Sequence, residues 1–90
     1  MQKILALVHL KGSSLQHYDN FAIEQINAAK HLLGERLYHF VSIRDNEILI
    51  VDVWKSAEVF SKYADILMPL ALQNGFTPKA EVNNLNQEVS

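Results

Sequence analysis

The stretch Arg36-Leu37-Tyr38-His39-Phe40-Val41-Ser42-Ile43-Arg44-Asp45-Asn46-Glu47-Ile48-Leu49-Ile50-Val51-Asp52-Val53-Trp54 decides the fold. It contains two β-rich runs, Arg36 to Ile43 and Glu47 to Trp54, parted by Asp45-Asn46, residues that tolerate the positive φ of a tight turn. The pattern predicts an antiparallel hairpin. With Asp45 and Asn46 as the loop, Leu37, His39, Val41 and Ile43 share one face with Trp54, Asp52, Ile50 and Ile48. Tyr38, Phe40 and Ser42 share the other with Val53, Val51 and Leu49. Both faces are apolar, whereas an antiparallel sheet that wets one face alternates apolar with polar residues.

Upstream, Ile4 to Leu10 is a short apolar run ending at Lys11-Gly12, which reads as strand one. Ser13 with Gln16 has the form of a capping box. Apolar residues at Tyr18, Phe21, Ala22, Ile26, Ala29, Leu32 and Leu33 then mark a helical stripe that Gly34 should close. Downstream, Ser56 is placed to cap a second helix, with Glu58 in its first turn. Its apolar positions are Val59, Phe60, Tyr63, Ala64, Leu67, Leu70 and Ala71, and Gly75 follows. Pro69 lies inside that helix and predicts a kink or break near Asp65 to Met68. Alternation around Ala80, Val82 and Leu85 predicts strand four from Lys79 to Leu85.

The order βαββαβ is the ferredoxin-like plan, an α+β fold in which a four-stranded antiparallel sheet carries both helices on one face. Ninety residues suit one such domain spanning 1–90. Two short helices cover one face only, and the polar-rich tail makes a poor lid. The remaining apolar face therefore predicts a homodimer joined through its sheet faces.

Composition narrows the function. Apolar residues form 49% of the chain and charged residues 20%, which suits a packed globular protein. The formal charge of -2, with signs mixed along the chain, gives no footprint for nucleic acid or an anionic membrane. No apolar run approaches the roughly 20 residues of a membrane-spanning helix. The absence of cysteine removes disulfides and thiolate chemistry and fits a cytoplasmic protein. Gly12, Gly34 and Gly75 stand alone, so there is no phosphate cradle.

The hairpin register sets His39 opposite Asp52, with β-carbons about 5 Å apart, and Trp54 on the same face. A carboxylate beside an imidazole orients one ring nitrogen and makes the histidine usable as a general base. An indole adds a flat apolar wall suited to an aromatic ligand. His39 and Asp52 are thus the candidate catalytic pair. Trp54, Tyr63 and His9, a histidine inside an apolar strand that needs a partner, are candidate substrate-binding residues. The bland reading of the pair is a cross-strand contact that only helps register. His17 and His31 lie off the apolar stripe and read as solvated, and Ser13 and Ser14 read as caps. No HxH, HExxH or similar spacing supports a metal site, and no cofactor is expected.

The block Val51-Asp52-Val53-Trp54-Lys55-Ser56-Ala57-Glu58-Val59-Phe60, followed by Leu67-Met68-Pro69-Leu70 and preceded by Lys11-Gly12 after strand one, resembles the antibiotic biosynthesis monooxygenase-like proteins of the dimeric α+β barrel superfamily. The resemblance implies two sheets paired face to face and a small apolar pocket between sheet and helices, lined by the tryptophan that corresponds to Trp54. Some members oxidise quinols or polycyclic phenols with oxygen and neither metal nor flavin; others degrade haem. Haem-degrading members carry a histidine ten residues beyond the tryptophan and an asparagine on strand one. Here those features are Ala64 and a strand without asparagine. The expectation is a cofactor-independent monooxygenase for a small aromatic or quinol-type substrate, or else a non-catalytic ligand-binding or interaction dimer of the same fold.

Overall fold

In the computed structural model, which describes residues 2–12 and 15–86, the hairpin is formed by β2 (Arg36–Arg44) and β3 (Glu47–Trp54), with His39 opposite Asp52. The register follows the turn at Asp45-Asn46 from Arg44 back to Tyr38 and then breaks. A bulge falls between Arg36 and Tyr38, so that Arg36, not Leu37, lies opposite Trp54. A bulge sets two residues against one and re-aims the side chains beyond it. The polar Arg36 thereby joins the face that sequence alternation alone assigns to Leu37.

β1 (Ile4–Lys11) pairs with β3 on one side and with β4 (Thr77–Asn84) on the other, all antiparallel, in the order β2-β3-β1-β4. β4 begins two residues before the predicted Lys79. Among the described residues the element order is βαββαβ, with α1 (Leu15–Ala29) and α2 (Ala57–Gln73) as the long helices. This is the ferredoxin-like arrangement.

The core lies between sheet and helices. Ile4, Ala6, Val8 and Leu10 of β1 and Ile48, Ile50 and Trp54 of β3 are buried in one cluster with Phe21, Ala29, Phe60, Tyr63, Leu67 and Ala71. Strand alternation sends the intervening residues to the opposite face. There Leu5, Leu7, Leu49 and Val51 are half-buried, and Tyr38 and Phe40, whose rings stack 6.4 Å apart, are 52% and 62% exposed.

The helices depart from expectation at three points. The predicted stripe past Ala29 is a 3₁₀ helix over Lys30–Glu35, and Gly34 sits inside it without the positive φ of a left-handed cap. Ile26, placed in the stripe, is 47% exposed; Gln25 takes the buried position instead. α2 runs unbroken through Pro69, because both Pro69 and Asp65, whose carbonyl loses its partner, are exposed to water. The ends of α2 follow the sequence. The Ser56 hydroxyl accepts from the Val59 N–H at 3.3 Å. Gly75, at φ 85°, lets its own N–H reach Leu72 and that of Phe76 reach Ala71, a Schellman closure. The predicted capping box at Ser13 lies outside the described residues.

Candidate active site

β2 and β3 bring His39 and Asp52 together as their register demands. His39 Nδ1 lies 2.5 Å from Asp52 Oδ1, with the aspartate fully buried and the imidazole side chain 33% exposed. A buried carboxylate needs such a partner, since stripping its water without compensation is expensive. Because Nδ1–H donates to the carboxylate, Nε2 becomes the basic atom of the ring.

The bulge adds a second charge. Arg36 Nη1 comes within 4.0 Å of Asp52 Oδ2, and its guanidinium carbon lies 5.9 Å from the centre of the Trp54 ring. Trp54 packs in turn against Tyr63, ring centres 4.6 Å apart, and both are fully covered. The Tyr63 hydroxyl donates to Gln25 Oε1 at 2.6 Å, which explains how a glutamine sits in the buried stripe of α1. Burial, reinforced by the Asp52 charge, pushes the Tyr63 phenol well above the usual tyrosine range, with Arg36 opposing. Tyr18, half-buried, is also raised by burial and feels both Arg36 and Asp52. Both phenols are therefore hydrogen-bond donors at neutral pH and not bases.

His39, Asp52, Trp54 and Tyr63 are thus gathered on one face of the sheet. His9 is not among them. β1 alternates, and Ala6, the partner of Asp52, points to the helices, so His9 shares the opposite face with Leu5 and Leu7. There its Nδ1 meets Glu47 Oε1 at 3.0 Å, and that hydrogen bond holds the Glu47 carboxyl below its ordinary value. Two clefts of about 230 and 350 Å³ flank His9 and Glu47, and a third of about 500 Å³ lies between Leu37 and Val59. None of the three is lined by Trp54. Among the described residues no three His, Asp or Glu side chains converge as a metal ion requires.

Sequence reasoning missed Arg36, Gln25 and Tyr18. Gln25 carried a weak signal, a polar residue four positions after Phe21 and four before Ala29 on a helical face. Arg36 carried none, because bulges leave no reliable mark in a strand.

No family model matches the chain, and no curated protein matches it by sequence. Solved structures do. SnoaB from Streptomyces nogalater, a cofactor-independent oxygenase, superposes with a TM-score of 0.72 at 12% identity, over 99% of this chain and 98% of its own. A proposed antibiotic biosynthesis monooxygenase from Deinococcus radiodurans gives 0.67 at 14% identity, over 97% and 96%. A dimeric ferredoxin-like protein from an uncultured marine organism gives 0.65 at 14%, over 100% and 93%. The likeness is one of fold. At these identities it carries no residue roles from one chain to another, and function has to be argued from the site.

Proposed function

We propose that this protein is a cofactor-independent monooxygenase that acts on a small aromatic, quinol-type substrate and works as a homodimer. The observation that carries the reading is the His39–Asp52 hydrogen bond, in which a buried carboxylate holds an imidazole that is itself one-third open to solvent. The fold shared with SnoaB, itself a cofactor-independent oxygenase, supports it.

His39 Nε2 takes the proton of a substrate hydroxyl, and Asp52 stabilises the imidazolium that results. The anion transfers an electron to oxygen, and recombination forms a carbon–oxygen bond to a ring carbon that still bears hydrogen. Loss of that hydrogen as a proton, with cleavage of the oxygen–oxygen bond, leaves a carbonyl. The substrate thereby loses two hydrogens and gains one oxygen atom, the second oxygen departs as water, and every electron comes from the substrate. Dimerisation through the free sheet face covers the exposed Tyr38 and Phe40, which a soluble monomer would leave as an apolar patch.

Oxygen uptake with a panel of quinols in metal-free buffer tests the proposal. His39→Ala should lower the rate by about 10²- to 10⁴-fold, the usual contribution of a positioned base. Uptake unchanged in that variant removes His39 from the chemistry.

One observation favours a second reading, an interaction dimer without turnover: Trp54 and Tyr63 are fully covered, so the aromatic wall is closed by the protein's own side chains. That reading predicts a dimer in sedimentation that neither consumes oxygen with any quinol nor shows a change of Trp54 fluorescence on adding an aromatic ligand.

A further inference from the structure

Three buried polar atoms on neighbouring residues lack a hydrogen-bond partner among the described residues, Arg36 Nη1, Trp54 Nε1 and Asp52 Oδ2, although the Arg36 guanidinium also interacts with the Tyr63 hydroxyl. All three are buried, Asp52 and Trp54 completely and Arg36 to 13% side-chain exposure. Native interiors satisfy nearly all such groups, since each one left unpaired forfeits its hydration. Here the orphans fall within one constellation, linked by the 4.0 Å approach of Arg36 to Asp52 and the 5.9 Å approach of Arg36 to the indole.

Their valence is complementary. Two are donors, because a guanidinium nitrogen and an indole N–H can only give a hydrogen bond, and one is a carboxylate oxygen that can only accept. The group that answers all three both accepts and donates, as a hydroxyl does. An ether or a carbonyl leaves Asp52 Oδ2 unpaired, and an anion is opposed by its charge.

We propose that Arg36, Trp54 and Asp52 form a seat for one hydroxyl group of an aromatic ligand, with Arg36 as the residue that selects hydroxylated rings over purely apolar ones. The hydroxyl accepts from Arg36 Nη1 and Trp54 Nε1 and donates to Asp52 Oδ2. Trp54 and Asp52 are fully covered, so a ring reaches the seat only when side chains move aside on the β2 side, where His39 is the most exposed member of the cluster. This deepens the oxygenase reading: a substrate held in the seat presents a second oxygen to His39 Nε2, so the preferred ring carries two oxygen functions. The seat itself does not depend on turnover.

The test is binding, at neutral pH, of 4-methylphenol against 4-methylanisole, which differs by methylation of the one hydroxyl. Trp54 is the only tryptophan, so the protein shows a single indole N–H resonance that reports on the seat. Wild-type protein should prefer the phenol by at least about tenfold, as expected where a methylated analogue strands buried polar groups. The phenol, and not the anisole, should shift the indole N–H. Arg36→Met should bring the two affinities together, whereas a purely structural Arg36 would change both in parallel. Arg36→Lys is the reserve should the methionine variant not fold, and it should narrow the preference by several-fold. Equal affinities in the wild type, binding of neither probe, or a preference that survives loss of Arg36 overturns the seat. An Arg36-dependent preference without oxygen uptake keeps the seat and removes the oxygenase.

Discussion

Tyr63 shows how one buried side chain couples packing to pH. Its hydroxyl donates to Gln25, itself buried, so Tyr63→Phe strands the glutamine oxygen and should destabilise the fold by about 1–3 kcal/mol in denaturant titrations at neutral pH. The pH dependence has a definite sign. Burial raises the folded-state pKa of this phenol, so the fold holds the neutral form. Its contribution is fully present below the unfolded value of about 10 and is lost as pH rises beyond it, where only the unfolded chain ionises. Wild-type stability should fall on the alkaline side, and the fall should be shallower in Tyr63→Phe. Parallel alkaline declines in the two proteins would show that Tyr63 is not the group responsible. Glu47 runs the other way: its lowered pKa contributes above the ordinary carboxylate range and is lost toward acid, through an exposed pair with His9.

Among the elements, α2 is the one whose ends are spelled out locally. Ser56 caps it and Gly75 closes it, and both were legible because a side-chain oxygen before an apolar stripe and a glycine after it act within a few residues of chain. Ser56→Ala should cost about 1 kcal/mol, read as a lower denaturation midpoint with unchanged slope. A midpoint equal to wild type would mean that Val59 N–H finds water instead. α1 was read less well. Its stripe carries Gln25 inward and Ile26 outward, an arrangement that pays no local dividend and makes sense only once Tyr63 of the other helix is in place. β2 gives the same lesson: the loop residues set the register near the turn, and the bulge at Leu37 resets it beyond.

At the scale of the whole molecule the sheet has one face against the helices and one that no other described element covers. Tyr38 and Phe40 stand on the free face over half-buried Leu5, Leu7, Leu49 and Val51. Sedimentation at micromolar protein should report twice the 10.3 kDa of one chain. Phe40→Lys combined with Tyr38→Lys should give a folded monomer, because both side chains point away from the core and a charge there opposes burial against a second copy. A wild-type monomer would sink the dimer and, with it, the expectation that the free face is an interface. No helix among the described residues is long and apolar enough to cross a membrane.

By itself the sequence determined the element order, the hairpin register from the turn as far as Tyr38, and the pairing of His39 with Asp52. Each of these follows from interactions between near neighbours: side-chain periodicity, turn residues, caps, and a two-residue loop that counts partners across a hairpin. Only the tertiary structure decided which face of β1 meets the helices, and so that His9 lies apart from Trp54. Seven consecutive residues of β1 are apolar or nearly so, and a strand of that kind carries no parity of its own until its neighbours bury one side. Tertiary structure also brought Arg36 to the site. A bulge forms where the sheet as a whole, twisted against two helices, favours one extra residue, and no pair of neighbours records that preference.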